Sequence, residues 1–128
     1  MKKLLILHLE DDLALKDTVF DLLSVLDPES EVIQFTNSDE TLQYIEKSGA
    51  EVDLFLLDVR VPGQMDGIGV AKRIRSLAIG SRIVFMSAYQ RPSTSELSDS
   101  LDFQWIKKPW SIDQFSRLLQ QAHTHTDA

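Results

Sequence analysis

The chain has 128 residues and no cysteine, which suits one domain able to bury most of its apolar surface without disulfides or thiolate chemistry. A hydrophobic fraction of 43% and a charged fraction of 26% exclude a disordered or fibrous protein, and a net charge of −7 argues against a general affinity for nucleic acid or anionic lipid. With no thiols and no stretch long enough to span a bilayer, the expected compartment is the reducing cytoplasm, with neither membrane nor direct nucleic-acid contact.

The N-terminus opens like a signal peptide, with Lys2 and Lys3 before an apolar run. Glu10 stops that run and no small-residue cleavage site follows, so Lys3 to Leu9 reads as a buried strand. Leu15, Val19, Leu22, Leu23 and Leu26 then recur at helical spacing. A second strand is expected at Glu31 to Phe35 and a second helix at about Ser38 to Lys47, with Asn37 and Ser38 as start signals and Gly49 as a stop. The apolar run Asp53 to Asp58 is the third strand. Val70, Ala71, Ile74, Leu77 and Ala78 give the next helix, and Arg82 to Ser87 the fourth strand.

The segment Arg91 to Ser100 is rich in Ser and Thr, contains Pro92 and offers only Leu97 and Leu101 as an apolar pair, so the helix expected there is short or mobile. Phe103 to Ile106 is the fifth strand. The last helix carries Phe115, Leu118, Leu119 and Ala122, and Ser111 with Gln114 forms its capping box. The tail His123 to Ala128 is expected to fray, with His123 and His125 idle. Five βα units around a parallel sheet follow from this alternation. There is no internal repeat, low-complexity tract or linker joining this unit to another.

Polar residues gather at the carboxyl ends of the strands, where open α/β sheets bind ligands. Glu10, Asp11 and Asp12 follow the first strand, Asp58 ends the third, Ser87 and Ala88 end the fourth, and Lys107, Lys108 and Pro109 follow the fifth. Carboxylates crowded in a partly dry cleft either rise in pKa or gather round a cation. Magnesium takes oxygen ligands, commonly one or two carboxylates plus a phosphate. Acidic residues at such a turn also serve simply to start a helix, which is the reading preferred for Asp12. An acid closing a buried strand is a candidate nucleophile or ligand, Lys108 can offset charge on a phosphoryl oxygen, and Ser87 can donate a hydrogen bond to one. Each of these residues taken alone has an ordinary structural explanation.

The segments LLILHLEDD, LFLLDVRVPGQMDG, IVFMSAY and WIKKPW resemble the receiver domains of response regulators in two-component phosphorelays, in their order and nearly at their spacing, over almost the whole chain. The resemblance implies a flavodoxin-like, doubly wound five-stranded sheet ordered 2-1-3-4-5 with five helices over residues 1–122, then a flexible tail over 123–128. It implies that Asp58 accepts the phosphoryl group. Glu10, Asp11, Asp58 and the backbone carbonyl of Arg60 would hold magnesium or manganese, Lys108 would contact the phosphoryl group, and a cis peptide would join Lys108 to Pro109. Ser87 takes the place of the switch hydroxyl and Trp105 that of the switch aromatic. The implied donor is a histidine kinase or phosphotransfer protein and the implied reader a downstream protein, with the domain a monomer or weak dimer. Such a domain assists only its own phosphorylation and dephosphorylation and is not otherwise an enzyme.

Several positions depart from the family pattern. Trp105 stands where Tyr or Phe is usual; an indole is larger and needs an N–H partner, so the alternative is a ring that packs on the sheet edge in both states. The loop after Asp58 is one residue longer than the commonest form, and Arg60 and Tyr89 are bulky at places where the family tunes phosphoryl lifetime. His8 is expected to be a packed, hydrogen-bonded core residue. Trp110 is left between partner-facing surface and core cover. A phosphatase of the haloacid dehalogenase kind would want an acid where Arg60 stands, and a flavodoxin-like cofactor carrier would not place Glu-Asp-Asp where phosphate must bind. An unphosphorylated interaction module with the same fold is the remaining rival.

Overall fold

Five parallel strands form one sheet in the order β2-β1-β3-β4-β5 in the computed structural model of the chain, which describes residues 3–92 and 101–127. They are β1 (Leu5–Leu9), β2 (Glu31–Phe35), β3 (Leu54–Asp58), β4 (Arg82–Ser87) and β5 (Phe103–Lys107). Four helices, α1 (Leu13–Leu26), α2 (Ser38–Ser48), α3 (Gly67–Ser76) and α4 (Ile112–Asp127), accompany them among the described residues, with a 3-10 turn at Gly49–Glu51. This is the doubly wound, flavodoxin-like order expected. Five helices were anticipated; the one placed over Arg91 to Ser100 falls on residues 93–100, outside the described residues.

Alternation along each strand divides the interior in two. Leu4, Ile6, Leu54, Leu56, Val84, Met86 and Ile106 face Val19 and Leu23 of α1 and Phe115, Leu118, Leu119 and Ala122 of α4. Leu7, Leu9, Phe55, Leu57, Ile83 and Phe85 face Ile45 of α2 and Val70, Ala71 and Ile74 of α3. Burial on both faces is why β3 reads as an unbroken apolar run.

The helix starts follow local chemistry. Asp12 Oδ1 accepts the Leu15 N–H at 3.1 Å, Asn37 Oδ1 the Glu40 N–H at 2.8 Å, and Asp66 Oδ1 the Gly69 N–H at 2.9 Å. Ser111 and Gln114 form the reciprocal box, at 2.7 and 3.1 Å.

Two ends differ from expectation. α3 stops at Ser76, with Leu77 as its cap and Ala78 at φ 60°, although both residues fit the apolar spacing. Arg75 explains the stop: its guanidinium donates to the carbonyls of Ile79 (2.6 Å), Ser81 (2.8 Å), Leu101 (2.7 Å) and Asp102 (2.7 Å), and so folds the chain back under the helix. At the other end α4 continues to Asp127 rather than fraying at His123. His123 is not idle, for its Nε2 lies 2.8 Å from Oδ2 of Asp27, the C-cap of α1.

Candidate metal and phosphoryl site

Glu10 leaves β1 on the α1/α4 side of the sheet and is 1% exposed. Its Oε1 accepts from Lys108 Nζ at 2.7 Å and its Oε2 from the Asp12 backbone N–H at 3.2 Å. Asp58, 9% exposed at the end of β3, has Oδ2 3.5 Å from the same Lys108 Nζ. Asp11 is exposed. One carboxylate oxygen from each of Glu10, Asp11 and Asp58 lies within 4.8 Å of the others. Burial, with Asp58 alongside, holds the Glu10 carboxyl above the usual carboxylate range, against the opposing pull of Lys108. Three hard oxygens and one ammonium leave an excess of negative charge that a hard divalent cation fits.

β4 and β5 supply the other wall. Ser87, 2% exposed, accepts the Lys108 N–H on its carbonyl at 2.6 Å and the Tyr89 N–H on Oγ at 3.1 Å. The first of these bonds sets Lys108 beside Glu10 and Asp58, and the Lys108–Pro109 peptide is cis. Trp105 packs on Phe85 with centroids 5.5 Å apart and donates its indole N–H to the Tyr89 carbonyl at 3.0 Å. The Arg60 guanidinium sits 4.4 Å from the centre of the Tyr89 ring. Trp110 stacks edge-on against Phe115 at 4.3 Å.

The longer loop after Asp58 is tied to the start of α2. Ser38, fully buried, gives its N–H to the Pro62 carbonyl at 2.9 Å, and Asp39 Oδ1 accepts the Gln64 N–H at 3.2 Å. Gly63 turns there at φ 123°, with Ser38 so close that a Cβ would strike its hydroxyl. Gly67, which the sequence did not single out, lies against Asp58: its N–H donates to the Val59 carbonyl at 2.7 Å, and a Cβ would run into the Asp58 carbonyl oxygen. A glycine one residue after a helix cap is an ordinary sight in a sequence, so only the fold exposes this approach.

One layer below the acids, His8 Nδ1 accepts from Gln34 Nε2 at 3.1 Å, while Nε2 is buried with no partner. Burial first, then the charges of Lys108 and Lys16, lower its pKa to about 3. The unfolded chain therefore takes up this proton near pH 6.5 and the folded chain does not, so stability is full above 6.5 and declines as pH falls toward 3. The expected slope from this group is at most about 1.4 kcal/mol per pH unit. Urea unfolding of the wild type and of His8→Leu between pH 7.5 and 5 checks it; parallel curves would remove His8 as the source.

The family model of the response regulator receiver domain matches residues 6–120. The chain belongs to that family. This receiver domain is 30% identical over 118 residues to the transcriptional regulatory protein CiaR of Streptococcus pneumoniae, a match that covers 90% of the chain and 49% of CiaR. It is 32% identical over 85 residues to sporulation initiation phosphotransferase F of Bacillus subtilis, covering 66% of each, and 32% identical over 71 residues to regulatory protein AtoC of Escherichia coli, covering 55% of the chain and 15% of AtoC. The receiver domain thus spans under half the length of CiaR and of AtoC. In structure it is similar to a CheY-like receiver domain protein of Methanospirillum hungatei, with a TM-score of 0.83, 22% identity and 98% of both chains covered, a likeness that shows the fold. No helix among the described residues is long and apolar enough to cross a membrane.

Proposed function

We propose that Asp58 accepts a phosphoryl group from a phosphohistidine on a histidine kinase or phosphotransfer protein, and that the domain then signals to a downstream protein. The observation that carries this reading is the convergence of Glu10, Asp11 and Asp58 within 4.8 Å, with Lys108 Nζ bridging Glu10 and Asp58. Glu10, Asp11, Asp58 and the carbonyl of Arg60 would hold magnesium or manganese, which when bound lowers the repulsion between carboxylate and phosphoryl oxygens.

The chain's own groups do the rest. An Asp58 carboxylate oxygen attacks phosphorus in line; the new O–P bond forms as the P–N bond breaks, and the imidazole leaves with the electron pair. Lys108 offsets charge on the oxygens it faces. Ser87 Oγ already accepts the Tyr89 N–H, so its own proton is left to donate to a phosphoryl oxygen. An apolar groove lined by Leu15, Ala88, Lys108, Pro109 and Trp110 opens beside the site, with Leu13 and Ile112 exposed on the adjoining helix starts. Such a rim suits a macromolecular donor better than a small anion. Phosphorylation biases the Ser87 region, and the readout surface is proposed to lie on segment 91–100, β5 and α4.

The test is incubation with acetyl phosphate and magnesium, followed by intact mass. A gain of one phosphoryl group in the wild type and none in Asp58→Asn is expected. No gain in the wild type would turn the reading to an unphosphorylated interaction module.

A further inference from the structure

We propose that the amino ends of β4 and β5, with the last turns of α4, form a second anion site, which takes a small ligand bearing a phosphate or carboxylate group. The site is independent of Asp58, for Arg82 and Ser87 stand at opposite ends of β4, five residue steps of about 3.3 Å apart. Arg82 is its centre. The Arg82 Nη2 donates to Oε1 of Gln104 on β5 at 2.9 Å and to Oε1 of Gln121 on α4 at 3.1 Å. Its Nε is buried without a partner, and among the described residues no carboxylate comes within 4.0 Å of the guanidinium. A cation is therefore held in place by two neutral oxygens, and its charge is left unmatched.

That arrangement fixes what the surroundings can offer. An amide that gives its oxygen to a cation turns its NH2 group outward, so Gln104 and Gln121 both present donors. Arg82 and Gln121 line an open cleft of about 510 Å³ with Gln120, Thr124 and His125, none of them acidic. The Thr124 hydroxyl is spent on the Gln120 carbonyl at 3.0 Å, but His125 can supply a ring N–H in either charge state. Asp102 lines a smaller neighbouring cleft of about 100 Å³ that shares Arg82 and His125, and its repulsion there favours the larger cleft for an anion. Donors gathered round a fixed guanidinium recognise oxyanions, whose paired oxygens match the planar N–H fork. Residues 59–128, which include β4, β5 and α4, hold 9 of the 13 basic and 6 of the 20 acidic side chains, so this half of a negative chain is itself net positive.

The test is a 15N–1H titration of the full chain without magnesium, at constant ionic strength in chloride, with inorganic phosphate in one series and acetate in another. Saturable shifts of the side-chain amide signals of Gln104 and Gln121 are expected in at least one series, with a Kd on the order of 1 mM. Saturation by phosphate alone assigns a tetrahedral anion, and by acetate alone a carboxylate. Arg82→Gln should weaken binding about ten-fold or more. Because Arg82 also ties β4 to α4, Gln121→Glu is the second variant: it changes an exposed helix residue and gives Arg82 an internal carboxylate, which should exclude the ligand without lowering the thermal midpoint. Linear shifts in both series, shifts confined to the Lys108 end of the sheet, or binding by Gln121→Glu equal to that of the wild type would each overturn the proposal.

Discussion

Lys108→Met is expected to remove phosphoryl uptake and much of the protein's stability together. Glu10 is almost wholly buried, and Lys108 is the cation that meets its carboxylate, at 2.7 Å. Taking away one partner of a buried pair leaves the other charge uncompensated, which costs about 2–4 kcal/mol here because Glu10 can relieve part of the strain by taking up a proton. The sign with pH follows from the carboxyl's raised pKa, which loss of the lysine pushes further up. The penalty is absent below the unfolded carboxylate range, grows as pH rises through the gap between unfolded and folded values, and is full above it. The difference between mutant and wild type in urea unfolding should therefore be larger at pH 8 than at pH 5. Magnesium should restore part of the stability by supplying positive charge, while uptake from acetyl phosphate stays on the order of 100-fold slower for want of the ammonium at the transferring oxygens. Equal stability at pH 8 would deny Lys108 the first role, and uptake within a few-fold of wild type would deny it the second.

Gly67→Ala is the second large effect. The added methyl group would meet the Asp58 carbonyl oxygen, with the Asp58 carbonyl carbon at 2.9 Å and Val59 Cα at 3.1 Å. These are backbone atoms and cannot swing aside as a side chain does. The hydrogen bond from Gly67 N–H to the Val59 carbonyl ties α3 to the end of β3, so relief on one side displaces Asp58 on the other. A loss of about 3 kcal/mol is expected, together with weaker magnesium binding read by tryptophan fluorescence. Gly80→Ala is the control, since nothing lies within 4 Å of a Cβ there, and it should be close to neutral. Similar behaviour of the two variants would show that the approach at Gly67 relaxes without cost.

The contrast between Gly67 and the acidic cluster shows what the sequence could carry. The strands were legible because sheet burial on both faces forces continuous apolar runs, and the helix starts because Asp12, Asn37 and Ser111 act on N–H groups three residues away. Glu10, Asp11, Asp58 and Lys108 were legible through strand ends that the parallel order must bring together, supported by the family's segments. What escaped depends on pairs distant in the chain with no period or motif to announce them. Arg75 reaches carbonyls 26 and 27 residues away, His123 meets Asp27 across 96 residues, and Trp105 finds Tyr89 across 16. The end of α3 was misjudged for the same reason: Leu77 and Ala78 satisfy the helical pattern, but the carbonyls that Arg75 gathers win locally.

The two-sided character of β1 has a further implication for how this chain tolerates change. Leu5, Leu7 and Leu9 go to one side and Leu4, Ile6 and Glu10 to the other, so the carboxylate reaches Lys108 only because it lies at an even offset, six positions, from Leu4. One amino acid inserted between Leu7 and His8 would reverse that count and send the carboxylate toward Leu57 and Phe85, away from any cation. The same insertion at Glu29, in the turn between α1 and β2, would only lengthen a surface bend. Insertion scanning should find β1 and the Glu29 turn at opposite ends of the range.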